Sequence, residues 1–197
     1  PTKTHSYSPF SPFPPCSNSE RQMNLPFTIR DDIRAKAQWL YGDISFRCIL
    51  KAWCTDGSFA MVCYRLMQAS HRCRLGPIAM FFNKMNCWFG GCVIGRGADF
   101  GKRFVLVHSM GIVVNTAVRA GDDIKLEHQV TIGAAKGKSP TLGNRVFIGA
   151  GARIVGDVRL GDDTKVGANA VVTQDVPDGA TVVGIPAEVV RLYGEKV

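Results

Sequence analysis

The chain of 197 residues carries 24 Lys and Arg against 16 Asp and Glu, a formal charge of +8, with 46% apolar and 20% charged residues. That length holds one core of ordinary size, or a small helical region joined to one repeat domain, and leaves no room for two unrelated large domains. The composition excludes a disordered or coiled-coil chain, and the positive balance favours an anionic partner: a nucleic acid, an acidic membrane surface or a phosphorylated small molecule.

Residues 1–24 are rich in Ser, Pro and Phe, and Pro9, Pro12, Pro14 and Pro15 break any helix or strand period, so a flexible tail is expected there. The stretch lacks a basic start followed by an apolar run, so it does not read as a secretory signal, and a cytoplasmic location is expected. From Asp31 to Asn86 apolar residues recur at three and four (Ile33, Ala37, Leu40; Phe59, Val62, Leu66), with Asp31 and Asp32 expected to open the first helix. Three or four short helices are expected in residues 25–90, with Tyr41-Gly42, Asp56-Gly57 and Gly76-Pro77 as punctuation. The seven cysteines make no Cys-x-x-Cys pair and are expected to be reduced, buried thiols. The apolar stretch 76–94 is interrupted by Asn83, Lys84 and Asn86, a poor membrane span that leaves contact with a membrane surface open.

After Gly90 the period becomes six. Leu142-Gly143, Ile148-Gly149, Ile154-Val155, Leu160-Gly161, Val166-Gly167 and Val172-Thr173 form one series, and Val114, Ala120, Leu126 and Ile132 an earlier one, four residues out of phase. A small or branched residue sits two positions ahead of each member, as in Val146, Ala152 and Val158. A flat strand and a sharp turn repeated every six residues close a triangular coil of about eighteen residues, and stacked coils bury the aliphatic column. An ordinary β-sandwich would instead alternate by two. The fold expected is mainly β, a parallel β-helix of hexapeptide repeats over residues 91–190, preceded by the α-helical region and followed by a C-terminal tail, 191–197.

The phase slip places an insertion at Ala134 to Pro140, a loop whose Lys136 and Lys138 are either phosphate contacts or ordinary solvated charges. Adding eighteen per coil, plus four across the loop, stacks Met110, His128, Ala150 and Ala168 in one column and His108, Leu126, Ile148 and Val166 in the next. His108 and His128 then share a corner beside an edge of glycines and alanines that either suits tight turns or leaves backbone open to a pantetheine arm. A histidine there can take the proton of an attacking hydroxyl, or it can be structural. For His128 orienting the substrate or capping a turn are both open.

The stretches His108-Ser109-Met110-Gly111-Ile112-Val113-Val114, Val130-Thr131-Ile132-Gly133, Ile148-Gly149-Ala150-Gly151-Ala152 and Val183-Gly184-Ile185-Pro186-Ala187 resemble the hexapeptide-repeat acyltransferases, in particular serine acetyltransferases and the related exopolysaccharide O-acetyltransferases. The resemblance implies a left-handed β-helix, a homotrimer with acetyl-CoA bound between neighbouring prisms, pairing of trimers through the helical region as a further assembly, and a base at His108. Gly133, Ala134, Lys136, Lys138, Ala150, Ala168 and Arg191 are the candidate contacts to acetyl-CoA.

Three departures stand out: Val107 where serine acetyltransferases carry an Asp before the base, Ser139-Pro140-Thr141-Leu142 where they carry a second His, and Val93 where the acid partner of the base lies. An ammonium group prefers a carboxylate, so these losses point to a neutral acceptor, a sugar or polysaccharide hydroxyl, with serine as the alternative and a non-catalytic repeat scaffold as a third reading. Two histidines in the repeat region are too few for the three-histidine zinc site of γ-class carbonic anhydrases, so no metal is expected. The basic residues are scattered without interleaved aromatics, so no nucleic-acid partner is expected either.

Overall fold

The computed structural model describes residues 24–197. The expected tail, 1–24, lies outside that range except for Asn24. Four helices come first: α1 (Leu25–Tyr41), α2 (Phe46–Trp53), α3 (Ser58–Arg72) and α4 (Gly76–Trp88). Helix α1 begins six residues before Asp31, with Pro26 in its first turn, where a missing N–H costs nothing. Asp32 is therefore not a helix-opening acid. It is 1% exposed and receives Arg65 Nε at 2.6 Å, Arg65 Nη2 at 3.1 Å and the Phe104 N–H at 3.0 Å.

That buried pair, with Arg65 Nη1 donating to the carbonyl of Phe100 at 2.9 Å, joins α1 and α3 to the first coil of the β region. Tyr64 completes the seam: its hydroxyl donates to Ala98 O and accepts from the Phe100 N–H, both at 3.0 Å, and its ring meets Phe100 and Phe104 edge-on.

From Val93 onward, short strands stack into three parallel faces. The first holds Val93–Ile94, Val113–Val114, Thr131–Gly133, Arg153–Val155 and Val171–Val172; the second Asp99–Phe100, Arg119–Ala120, Thr141–Leu142 and Arg159–Leu160. The third holds Val105–Leu106, Lys125–Leu126, Phe147–Ile148, Lys165–Val166 and Ala180–Val183. The hexad residues form inward columns, such as Ile94, Val114, Ile132, Ile154 and Val172, all nearly inaccessible. The residues two positions ahead (Val146, Ala152, Val158, Thr164, Ala170) are buried as well, filling the narrow prism. Each aliphatic side chain so buried contributes about 1.5–3 kcal/mol.

Two expectations fail here. Residues 191–197 are not a tail: Glu188–Leu192 runs antiparallel to Ala180–Val183, and Glu195–Lys196 folds back on it. Tyr193 and Gly194, at φ +50° and +90°, supply the two left-handed residues of a tight hairpin. Nor are all thiols buried: Cys63 and Cys92 are, whereas Cys54, Cys73 and Cys87 are exposed. Among the described residues no helix is long and apolar enough to cross a membrane.

Candidate active site

His108 follows the third-face strand Val105–Leu106 at the corner leading to the first face. Leu106 stacks on Leu126, so His108 does not lie under Leu126 as a uniform eighteen-residue coil predicts, whereas the Gln129 N–H donates to Met110 O at 2.8 Å and keeps Met110 under His128 as that register expects. The corner after Leu106 is longer by two: eight positions separate Leu106 from Val114, six separate Leu126 from Ile132, and each pair occupies equivalent strands. The extra residues let the two imidazoles meet edge-on, with centroids 5.8 Å apart. Ala150 and Ala168 continue the same column, because Leu126, Ile148 and Val166 stack in register. Its backbone ladder runs from the Gly151 N–H to His128 O at 2.9 Å and from the Asn169 N–H to Ala150 O at 2.8 Å.

The acid that Val93 fails to supply comes from the helical region. Asp56 Oδ2 lies 2.8 Å from His108 Nδ1. With Nδ1 carrying the proton toward that carboxylate, Nε2 keeps its lone pair and can accept a proton. Sequence reasoning took Asp56-Gly57 only as a turn. The available signal was that Asp56 is the one acid between Ile44 and Ala98.

The α2–α3 turn is held from several sides. Gly57 sits at φ +81°, and a Cβ there would meet Leu106 O at 2.7 Å, so the turn packs against the end of the strand that leads to His108. Thr55 Oγ1 and Ser58 Oγ both donate to Ala52 O at 2.6 Å. Beneath the turn, Lys36 of α1 is fully buried and donates from Nζ to the Asp56 carbonyl. Burial pushes this ammonium down to about 8, against a smaller upward pull from Asp56. Glu127, stacked over Val107, brings a second carboxylate to the corner; its Oε2 is 3.9 Å from His128 Nδ1, too far for a hydrogen bond.

The remaining predicted residues divide. Gly133 ends the first-face strand, and Ala134 opens the outward loop. There Ala135 and Lys138 exchange backbone hydrogen bonds around Lys136 and Gly137, both at positive φ. Lys138 is bound to Asp157, which raises the pKa of its ammonium, whereas Lys136 is exposed. Because the loop follows the first face and the histidines precede it, the two groups border opposite edges of that face. Between them stand Val93, Val113, Thr131, Arg153 and Val171. Arg191 lies elsewhere, on the antiparallel strand added to the third face. A cleft of about 670 Å³ opens beside α1, lined by Arg34, Trp39, Arg103 and Lys125, and contains none of the predicted site residues.

Residues 139–174 match the model of the bacterial transferase hexapeptide (six repeats). A serine acetyltransferase of Helicobacter pylori is 43% identical over 138 residues, 68% of this chain and 81% of the relative. One from Bacillus subtilis is 35% identical over 146 residues, 72% of this chain and 67% of the relative. Among solved structures, a Neisseria gonorrhoeae serine acetyltransferase superposes with a TM-score of 0.78 at 27% identity, covering 90% of this chain and 70% of that one. A serine acetyltransferase in complex with CoA gives 0.76 at 26% identity, over 84% and 69%. With its left-handed β-helix and its histidine corner, the chain belongs to the serine acetyltransferase family of hexapeptide-repeat acyltransferases.

Proposed function

We propose that this acyltransferase moves the acetyl group of acetyl-CoA onto the hydroxyl of serine, with His108 as general base. The observation that carries this reading is the Asp56–His108 pair at 2.8 Å, beside Glu127 at the same corner. The expectation of a neutral acceptor rested on missing acids, and two carboxylates reach the corner from other positions. A serine ammonium group finds its counter-charge there.

In the reaction His108 Nε2 takes the proton of the hydroxyl as its oxygen attacks the thioester carbonyl. The carbon–sulfur bond then breaks, and the imidazolium returns the proton to the departing sulfur, so CoA leaves as thiol. Asp56 holds the ring and stabilises its charged form between the two steps. The donor lies along the first face, with Lys136 and Arg153 toward its phosphates and the alanine edge of Ala150 and Ala168 toward the pantetheine. The two edges border one face, and assembly of three copies through such faces completes the site.

Val93 and Val107 favour a second reading, transfer to a neutral sugar hydroxyl, because neither places an acid where the family carries one. Thiol release from acetyl-CoA, measured against serine and a panel of sugars, separates the two. Serine is expected to give the highest kcat/KM; a sugar exceeding it establishes the second reading, and no turnover with any acceptor overturns both.

A further inference from the structure

We infer that the exposed face of α2, continued by the aromatic end of α4, docks this enzyme on an anionic lipid surface. Helix α2 faces the wrong way for a globular helix: it buries Ala52 and half-buries Cys48 and Ile49, while Phe46 (79% exposed), Leu50 and Trp53 stand in solvent. Their spacing of four and three makes one stripe, and Arg47 and Lys51 make a basic stripe beside it. An amphipathic helix with its apolar stripe outward and basic residues flanking it has the build of an interfacial helix. Helix α4 repeats the arrangement, with Ile78, Phe81 and Trp88 (72% exposed) around its single charge, Lys84. Phe59 at the start of α3 meets Phe89 edge-on at 6.4 Å, carrying the apolar surface onward.

Charge selects the occupant. Residues 44–98 contain seven Lys and Arg and one acid, Asp56, which is engaged by His108. Arg65 is buried against Asp32 and Arg72 pairs with Asp99. Arg47, Lys51, Arg74, Lys84 and Arg96 are exposed and form no ion pair with another described residue. A second copy placed on this face would bring to it the same excess of seven basic residues over one acid, charge of like sign. Phosphate headgroups meet them with the opposite charge, and the acyl boundary accepts Phe46, Leu50 and Trp53.

The test is co-sedimentation of the full chain with vesicles of phosphatidylcholine alone and of phosphatidylcholine with phosphatidylglycerol in equal parts. The chain is expected to pellet with the second and not the first, and to lose most of that binding in high salt. Arg47→Glu with Lys51→Glu, and separately Phe46→Ser with Leu50→Ser, are each expected to weaken partitioning at least about tenfold while thiol release in solution is unchanged. Absence of pelleting with both vesicles overturns the inference, as does equal pelleting with both. Sedimentation velocity gives the remaining outcome: if Phe46→Ser with Leu50→Ser converts the wild-type particle to a smaller one and the wild type ignores vesicles, the face joins copies of the chain and the inference fails.

Discussion

His108 Nδ1 and Asp56 Oδ2 lie 2.8 Å apart across 52 positions of sequence, so one contact joins a corner of the β-helix to the helical region; in the proposed reaction these are the base and the acid that orients it. In that reaction the helical region is a working part of the site as well as a cover for the first coil.

Asp56→Asn keeps the shape of that contact and removes its charge, so the ring loses both its tautomer preference and the partner of its imidazolium. The expected result is a fall in kcat of about a hundredfold with KM for acetyl-CoA nearly unchanged. Because Asp56 is exposed, the unfolding free energy should change by no more than about 0.5 kcal/mol. Steady-state thiol release and urea unfolding check the two halves.

Gly57→Ala asks an L residue to hold φ +81° and drives a Cβ to 2.7 Å from Leu106 O, against backbone that cannot step aside. A loss of about 1–3 kcal/mol is expected. The turn should also shift Asp56 off His108, so kcat falls further than stability alone explains. Comparing kcat at a temperature where both proteins are fully folded isolates that second effect.

The period of six was legible because a repeat writes its geometry locally: each aliphatic residue and the small one ahead of it announce one edge of the prism. The insertion at Ala134 to Pro140 was legible for the same reason, as a break in phase. Asp56 was not, since the turn after α2 belongs to no repeat, and the contact with His108 depends on Gly57 packing against Leu106 and on Lys36 beneath it. The stacking of His108 missed by two residues because the Val107–Gly111 corner bulges without disturbing the strands on either side. The outward stripe of α2 has a normal helical spacing, and spacing alone does not say which side of the helix meets the core.

Lys36 makes alkaline stability measurable. Its ammonium titrates near 8 in the folded chain and near the ordinary 10.5 when unfolded, so between those values the unfolded chain binds more protons. Folding stability contributed by this group therefore rises with pH through that window, as the cost of holding a buried charge is relieved. Lys36→Met removes the contribution. The difference in unfolding free energy between wild type and variant, from urea titrations across pH 7.5 to 10.5, should grow with pH in favour of the wild type at up to about 1.4 kcal/mol per pH unit. A flat difference would place the Lys36 ammonium at its ordinary pKa.

The Asp32–Arg65 pair welds the helices to the first coil, and it should be costly to break from one side only. Asp32→Ala leaves a guanidinium that is 1% exposed without its carboxylate, and a loss of about 3–5 kcal/mol is expected. Arg65 also donates to Phe100 O, Gly101 O and Gln68 Oε1, so Arg65→Met strands those acceptors as well as Asp32. Combining Asp32→Ala with Arg65→Met removes both charges together and should cost less than the sum of the single changes, a coupling read from a double-mutant cycle in urea.

The two lysines of the 134–140 loop should differ in their effect on the donor. Lys138 is already bound to Asp157, while Lys136 is exposed at the tip of a two-residue turn with no ion pair to another described residue. A free ammonium can meet a CoA phosphate without first giving up a partner, so Lys136→Ala is expected to raise KM for acetyl-CoA about three- to tenfold at low salt, leaving kcat intact. Lys138→Ala should change KM less, and Asp157→Asn, which frees Lys138, should lower it. High salt should erase most of these differences, because the loop is solvent-exposed and its charges are screened. If Lys138→Ala has the larger effect, then Lys138 exchanges Asp157 for the phosphate when the donor binds, and the loop closes on its substrate rather than meeting it preformed.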